Sequence, residues 1–503
     1  MMKRQIFTAA KAAGAAGFLT LAAVLPSPVL AQQGNRDSVT LCQPLEPPIL
    51  DPTGGAAAAI REITYDNIFE TLIAFDSAGR TQPRLAASIS SSDDGMVHTI
   101  KLRTGVTFHD GTPLTSADVK FSFERAMAPD SKNSQKWIFA PIGSIEMPDA
   151  STVVITLKSF AGDFIEGLAW ADASIFSAKS ADKAGTEPIG TGPYQFVRWN
   201  RGDRVILKRN DAYWGAKPAI ANAIVRFIAD PQAQVAALMA GDCDAHTNIG
   251  APEAVAQLRA NANLRVTIGR TEGETIVAMN NSKAPFNDPR VRQAISMAID
   301  RAQVNEGAMS GFGTLIGTHF SPNHAAYLDL TGAVKFDPAA ARKLLAEAGF
   351  PNGFSASLRL PPPSYAQRSG EVVAAMLAQI GIRVSIEPVQ WAQWLERVYR
   401  QRDYDMTIVA HVEPLDINIY SREGYYFGYA SDVLKDAIAR TKSARTAEAR
   451  NAAFQDAQRR ISADHVNVYL FMLPKITVQK AGLKGMWANW PVPANPLGQL
   501  SWE

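Results

Sequence analysis

The sequence predicts an α/β fold. Strand-like and helix-like segments alternate along residues 32–503, with no heptad array, low-complexity tract or short-period repeat. Over residues 373–386 a helical pattern, a glycine and an alternating strand follow one another directly, which is typical of βαβ units. Because 503 residues exceed what one hydrophobic core organises, we expect two or three domains.

The first 31 residues predict a secretory signal peptide. Lys3, Arg4 and Lys11 precede an uncharged apolar run over 12–25, and Ala31 supplies the small residue at the expected cleavage point. A membrane anchor is the alternative, but Pro26 and Pro28 interrupt a run that is too short for a hydrocarbon core of about 30 Å. No cysteine lies at the cleavage point, so we expect a soluble exported protein without a lipid anchor.

The first half of the mature chain has strand patterns and one clear helix start. Thr115 and Asp118 have the spacing of a capping box, and Val119, Phe123 and Ala126 then form an apolar stripe. Strands are predicted over 39–41, 99–103, 152–157 and 204–208, and a helix leading into a strand over 61–75.

The second half has stronger helix signals. Asp288 followed by Pro289, and Asp337 followed by Pro338, each predict an N-cap and a first-turn proline. A third helix ends at Gly381 and passes into a strand over 382–386. The patterns predict two α/β bodies, with the change between them near 275–281.

Composition and motifs exclude several function classes. Fifty Lys and Arg against 48 Asp and Glu give no basic surplus for nucleic acid. Two cysteines are too few for a disulfide scaffold or a four-cysteine zinc site. The sequence has no Gly-x-Ser-x-Gly elbow, no His-Glu-x-x-His helix, no phosphate loop and no Gly-x-Gly-x-x-Gly opening a helix. We therefore expect neither an enzyme nor a cofactor.

The seven histidines indicate no metal site, because no two lie three or four residues apart. His98 shares strand parity with Ile100 and Leu102, so we predict that it packs in the core.

The stretch from Ala410 to Tyr420 is the strongest candidate for a binding site. His411, Glu413 and Asp416 follow an apolar strand over 406–410, and α/β proteins place ligand contacts at such strand ends. An aromatic cluster with Tyr426 as the candidate contact follows, and aromatics beside carboxylates suit an amine-bearing ligand. A solvated loop with a proline turn is the alternative, and both remain open.

Several motifs resemble the bacterial family 5 solute-binding proteins, the oligopeptide, dipeptide and nickel binders of ABC importers. They are VTFHDGTPLTSADV over 106–119, PIGTGPY over 188–194, NDAYWG over 210–215, NNSKAPFNDPRVR over 280–292 and AEAGFPNG over 346–353. They fall in the order of the family, and the resemblance covers nearly the whole mature chain.

The resemblance implies a type II periplasmic-binding-protein fold of cluster C, with ligand enclosed between two lobes and a subdomain inserted in the first. Lobe I would comprise residues 32–60, 185–275 and 480–503. The inserted subdomain would be 61–184, and lobe II would be 276–479. The implied partners are a solute and the permease and ATPase of an importer, with the protein acting as a monomer.

The resemblance also implies ligand-binding residues. Family members hold a peptide's α-ammonium with the acid of a Trp-x-x-Asp stretch, which reads Ala410 to Glu413 here, so Glu413 is the expected counterpart and Asp416 the alternative. A buried carboxylate left unpaired would select for a cation. Trp391 matches a pocket tryptophan, and Trp137 lies where the insert is expected to present an aromatic.

Rival functions differ in the ligand or in the class of protein. The missing tryptophan at Ala410 allows an opine, a modified amino acid or a nickel chelate held by His411. A secreted hydrolase and a periplasmic chaperone or sensor are the other classes. The family places Cys42 and Cys243 in one lobe, where an exported protein could form a disulfide or keep two buried thiols.

Overall fold

A long mixed sheet runs through the protein. The structure is a computed structural model, and it describes residues 36–413 and 416–503. The predicted signal peptide lies outside these residues. Residues 37–503 form one compact unit. None of the helices in the described ranges is long and apolar enough to cross a membrane.

The strands are β1 (Ser38–Gln43), β2 (Ile73–Phe75), β3 (Thr81–Pro83), β4 (Ala86–Ser91), β5 (Val97–Leu102), β6 (Ile142–Asp149), β7 (Thr152–Leu157), β8 (Tyr194–Asn200), β9 (Arg204–Arg209), β10 (Asn222–Phe227), β11 (Ala245–His246), β12 (Leu264–Met279), β13 (Thr314–Leu315), β14 (Ser355–Leu360), β15 (Arg383–Pro388), β16 (Met406–His411), β17 (Asn467–Lys480), β18 (Leu483–Lys484) and β19 (Ser501–Trp502).

The helices are α1 (Ala58–Thr64), α2 (Ser116–Met127), α3 (Phe164–Gly167), α4 (Pro231–Ala240), α5 (Val255–Arg259), α6 (Pro289–Ala298), α7 (Arg301–Met309), α8 (Pro338–Glu347), α9 (Ser364–Ala378), α10 (Trp391–Trp394), α11 (Asp432–Ser443) and α12 (Ala447–Ala463). Short helical turns over Ala171–Ala173 and Asp416–Ser421 carry site residues.

Within the described ranges, the large sheet has the order β15-β14-β16-β12-β17-β11-β1-β10-β9-β8, and β13 adds beside β17. The antiparallel pair β12 and β17 runs through its centre, from Leu264 opposite Lys480 to Ala278 opposite Asn467. β14 pairs in parallel with both β15 and β16. Because α9 connects β14 to β15, the predicted βαβ unit is confirmed.

Local signals placed several elements correctly. The Thr115 N–H donates to the Asp118 carboxylate at 2.8 Å, and the Asp288 and Asp337 carboxylates accept N–H bonds at the starts of α6 and α8. The helix predicted from residue 61 is different, because α1 begins at Ala58 and ends at Thr64. Asp66 then adopts φ 57°, a left-handed conformation that cannot continue a right-handed helix.

A separate four-stranded antiparallel sheet, in the order β4-β5-β7-β6, lies within residues 86–157. Ile100, Val153 and Phe123 of α2 belong to its buried core. His98 is buried beside Phe164 and bonds the Ser91 hydroxyl at 2.8 Å, so the predicted core histidine is confirmed. Burial lowers its pKa.

The predicted lobe boundary near 275–281 falls at the end of β12, which continues to Met279. The division into lobe I (32–60, 185–275 and 480–503), insert (61–184) and lobe II (276–479) stays a prediction.

A disulfide joins Cys42 of β1 to Cys243, which lies just before β11. The two Cα atoms are 5.8 Å apart and the bridge spans 201 residues of sequence. Of the two alternatives that the sequence left open, the disulfide is therefore the correct one.

Replacing both cysteines, Cys42→Ala with Cys243→Ala, is expected to lower the free energy of unfolding by about 2–5 kcal/mol, because the unfolded chain loses a long cross-link. Denaturant titration with and without reductant measures this. Reductant should destabilise the wild type and leave the double variant unchanged. Two titratable thiols per denatured wild-type chain would contradict the bridge.

Candidate functional site

A cavity of about 190 Å³ opens at the carboxyl end of β16, where the sequence placed its candidate site. Its wall combines charged and aromatic side chains from distant segments: Glu46, Glu62, Gln135, Tyr365, Trp391, Trp394, Tyr399, His411, Glu413, Asp416, Arg422, Tyr425 and Trp490. Several aromatic faces beside a few fixed charges are typical of small-molecule sites.

Asp416 is held by two histidines. Its Oδ1 lies 2.7 Å from His319 Nε2 and its Oδ2 lies 3.0 Å from His411 Nδ1. The Tyr420 hydroxyl reaches the other His319 nitrogen at 3.0 Å, and the Tyr426 hydroxyl the other His411 nitrogen at 2.9 Å. Two neutral rings satisfy this network completely, each donating one N–H to the carboxylate and accepting one O–H.

The electrostatics of this network follow from burial and charge. Burial alone would raise the pKa of Asp416, but His319 and His411 hold it well below its ordinary value. Burial lowers the pKa of His319 more than Asp416 raises it. Asp416 is therefore charged, and each of its oxygens accepts a histidine N–H.

His319, His411 and Asp416 also place their ligand atoms within 4.8 Å of one another, close enough to share a metal ion. Sequence spacing could not reveal this group, because His319 follows β13 and His411 ends β16. A metal ion would have to displace the hydrogen bonds that occupy both rings. The expectation of no metal site stays a prediction.

Glu413 belongs to a second charged group, centred on Arg61 of α1. The Arg61 Nη2 lies 2.9 and 3.0 Å from the two Asp172 oxygens, and its Nε lies 3.1 Å from one of them. Its Nη1 lies 3.6 Å from Glu413 Oε1. Arg61 and Asp172 are buried, and the Glu413 side chain is 12% exposed. With both acids ionised, the three side chains carry one excess negative charge.

Glu413 is thus not the unpaired carboxylate that the sequence analysis assumed, because the fold brings Arg61 to it. The pairing is loose, since Arg61 already bonds Asp172 through two nitrogens and the closest described N–H donor to Glu413 is that of Val412, at 3.4 Å. Burial raises the pKa of Glu413, opposed by Arg61. Its carboxylate retains capacity for a further donor.

Arg422 supplies a positive charge to the same wall. It donates to Asn418 Oδ1 at 2.9 Å, to Gln135 Oε1 at 3.2 Å and to the Ser134 carbonyl at 3.3 Å. Its Nε is buried without a partner. The contacts connect residues 134–135 to the turn that follows β16.

Aromatic rings form the rest of the wall. Trp391 stacks on Trp394 with centroids 5.2 Å apart, and Tyr399 packs edge-on against Tyr425 at 5.7 Å. The Trp391 indole N–H is buried without an acceptor. A ligand with apolar parts and one acceptor would match this side of the cavity.

Of the six residues selected from the sequence, Trp391, His411, Glu413 and Asp416 line the cavity. Tyr426 lies behind His411 and is 1% exposed, because aromatic neighbours cover its ring. Trp137 packs edge-on against Trp170 at 5.5 Å and lines two neighbouring cavities instead. Direct ligand contact by these two residues stays a prediction.

The sequence did not single out Arg61, Glu62 or Arg422. The available signal for the first two was a charged pair within an otherwise apolar helix, α1. Burial raises the pKa of Glu62 to about 7 against the opposing charge of Lys475. Burial likewise lowers the pKa of Lys475 to about 8.

The family model described as "Bacterial extracellular solute-binding proteins, family 5 Middle" matches residues 80–419. This chain belongs to family 5 of these proteins. The glutathione-binding protein GsiB of Escherichia coli O1:K1 / APEC is 32% identical over 350 residues, which are 68% of this chain and 68% of that protein. The resemblance inferred from the motifs is confirmed.

Two solved structures share the fold over almost the full length. The Helicobacter pylori periplasmic binding protein DppA, in complex with the peptide STSA, has a TM-score of 0.87 at 27% identity and covers 93% of this chain and 98% of its own. AgaA from A. tumefacien R10, in complex with agropinic acid, has a TM-score of 0.85 at 26% identity, covering 93% and 99%.

Membership in family 5 establishes the fold class and the general function of the protein. The fold is the type II periplasmic-binding-protein fold of cluster C, as the sequence predicted. The protein is a solute-binding component of an ABC importer.

Arg61→Met is expected to lower the free energy of unfolding by about 3–5 kcal/mol, because it leaves Asp172 buried without a countercharge. Arg80→Met is the matched control. It breaks the Arg80–Asp76 pair, whose arginine is 76% exposed, and should cost less than about 1 kcal/mol. Equal losses in denaturant titrations of the two variants would show that Asp172 does not depend on Arg61.

Proposed function

We propose that the protein is exported to the periplasm, is cleaved after Ala31, and captures a zwitterionic, amine-bearing solute such as a small peptide. It hands this solute, as a monomer, to the permease and ATPase of its importer. The names of GsiB and of the DppA complex, a glutathione binder and a peptide complex, support a ligand of this class.

The main support for this proposal is the charge imbalance among Arg61, Asp172 and Glu413. One guanidinium serves two carboxylates, the buried Asp172 and the partly exposed Glu413, and it bonds the first far more closely than the second. A ligand ammonium at Glu413 would neutralise the group and supply the missing donor.

Glu413 is the better ammonium site than Asp416. Each Asp416 oxygen already accepts a histidine N–H, so an ammonium there would compete with existing bonds. Glu413 has only long contacts, at 3.4 and 3.6 Å. Asp416 would position His411 in the wall.

Arg422 would receive the ligand carboxylate. Arg422 lines the cavity, and Trp391 and Tyr425 would offer apolar faces between the charged ends of the ligand. The ligand would thus be held at two charges of opposite sign.

Closure would follow from the contacts that Arg422 makes. It links Ser134 and Gln135, in the predicted insert, to Asn418, in the predicted second lobe. A solute that touches both sides favours the closed form by the contacts it makes only there. No covalent step is required, so the proposed activity is binding rather than catalysis.

A nickel chelate is the second candidate. The proximity of His319, His411 and Asp416 favours it, as these atoms lie within 4.8 Å. An opine is compatible with the same two-charge cavity, and agropinic acid is the ligand in the AgaA structure.

Glu413→Gln is expected to weaken binding of an amine-bearing ligand about ten- to hundredfold, because an amide replaces the charged acceptor. Calorimetry with glutathione and short peptides first selects the tightest probe. N-acetylation of that probe should weaken binding to the wild type by a similar factor and change little for Glu413→Gln.

Glu371→Gln, on an exposed residue of α9, is the matched control and should leave the affinity unchanged. Unchanged affinity in Glu413→Gln, or full sensitivity of that variant to N-acetylation, would contradict the role of Glu413.

A further inference from the structure

A second cavity, of about 170 Å³, lies beside the Asp416 network and has an acidic wall. Four carboxylates line it, from Glu166, Glu272, Glu274 and Asp416. None of the described residues in its wall is Lys or Arg. Asp416 is the one described residue that also lines the solute cavity, so the network separates the two spaces.

Glu274 is the residue that sets this cavity apart from an ordinary acidic surface. It is 5% exposed, and its Oε2 is buried with no hydrogen-bond partner. No Lys, Arg or His nitrogen of the described residues lies within 4.0 Å of its carboxylate. Its own backbone N–H forms a hydrogen bond with the carboxylate. Burial, Asp416 and Glu272 all raise its pKa.

The other three carboxylates have partners at the edge of the cavity or outside it. Glu272 accepts from Asn323 Nδ2 at 3.2 Å, and Glu166 lies 4.0 Å from Arg450. Asp416 is held by His319 and His411. Of the four, Glu274 is therefore the carboxyl group that has no charged partner among the described residues and a buried oxygen without a hydrogen bond.

We propose that this second cavity binds an organic cation, a primary ammonium carried on a short apolar chain, with Glu274 as its principal acceptor. Phe75 and Phe320 line the same space and would pack against the methylene groups. Ala78 and Asn323 are exposed at its rim, which gives a route from solvent. This site is additional to the solute site and does not depend on it.

A compact metal ion fits this cavity less well. Among the described residues, the group whose ligand atoms converge within 4.8 Å is His319, His411 and Asp416, and it includes none of Glu166, Glu272 and Glu274. Carboxylates spread along a wall suit a diamine or a basic side chain, whereas Ca²⁺ needs six or more oxygens around one point.

Calorimetric titration of the full protein with 1,4-diaminobutane tests this site. We expect saturable binding that Glu274→Gln weakens about tenfold or more, since a charged acceptor is lost. Glu272→Gln, at a less buried position, should weaken it by a smaller factor and serves if Glu274→Gln folds poorly. Glu371→Gln should bind the diamine as the wild type does.

Three outcomes would overturn the proposal. The first is the absence of saturable diamine binding to the wild type. The second is loss of diamine binding in Glu413→Gln, which would place the diamine in the solute cavity. The third is Glu274-dependent binding of Ca²⁺ in a parallel titration without diamine binding. The peptide titrations with Glu413→Gln are scored separately, so failure of one proposal is distinguishable from failure of the other.

Discussion

One buried guanidinium, that of Arg61, organises the solute site. It brings together α1, the short turn at Asp172 and the segment after β16, which are far apart in the sequence. A buried ion is costly unless it is paired, so each of these segments is constrained by the other two. Because one positive charge faces two carboxylates, a negative charge is left that a cationic group of the ligand can neutralise.

Glu413 and Asp416 lie three positions apart, but their different surroundings give the two carboxylates different roles. Asp416 receives two histidine N–H groups and becomes a structural anion that orients His411. Glu413 receives a distant arginine and retains bonding capacity toward the cavity. The same residue chemistry therefore serves packing in one case and recognition in the other.

The sequence predicted much of the fold because its signals are local. Caps at Asp288 and Asp337 and the helix, glycine and strand over 373–386 depend on neighbours within a few residues. The family motifs predicted the type II periplasmic-binding-protein fold. Trp391, His411, Glu413 and Asp416 were placed in the cavity wall by strand position and resemblance together.

The charge pairs could not be predicted in this way. His319 meets Asp416 because β13 joins the sheet beside β17, and Arg61 meets Glu413 across most of the chain. Long-range pairing decides both contacts, and periodicity carries no information about it. The covering of Tyr426 and the edge-on packing of Trp137 likewise depend on neighbours that no local pattern names.

A crystal structure of the protein with its co-purified or tightest-binding solute would show whether Glu413 holds the ammonium of the ligand. We expect a ligand nitrogen about 2.7–3.0 Å from the Glu413 carboxylate, with Asp172 still bonded to Arg61. A ligand whose positive group avoids Glu413, or an Arg61 side chain released from both carboxylates, would contradict it.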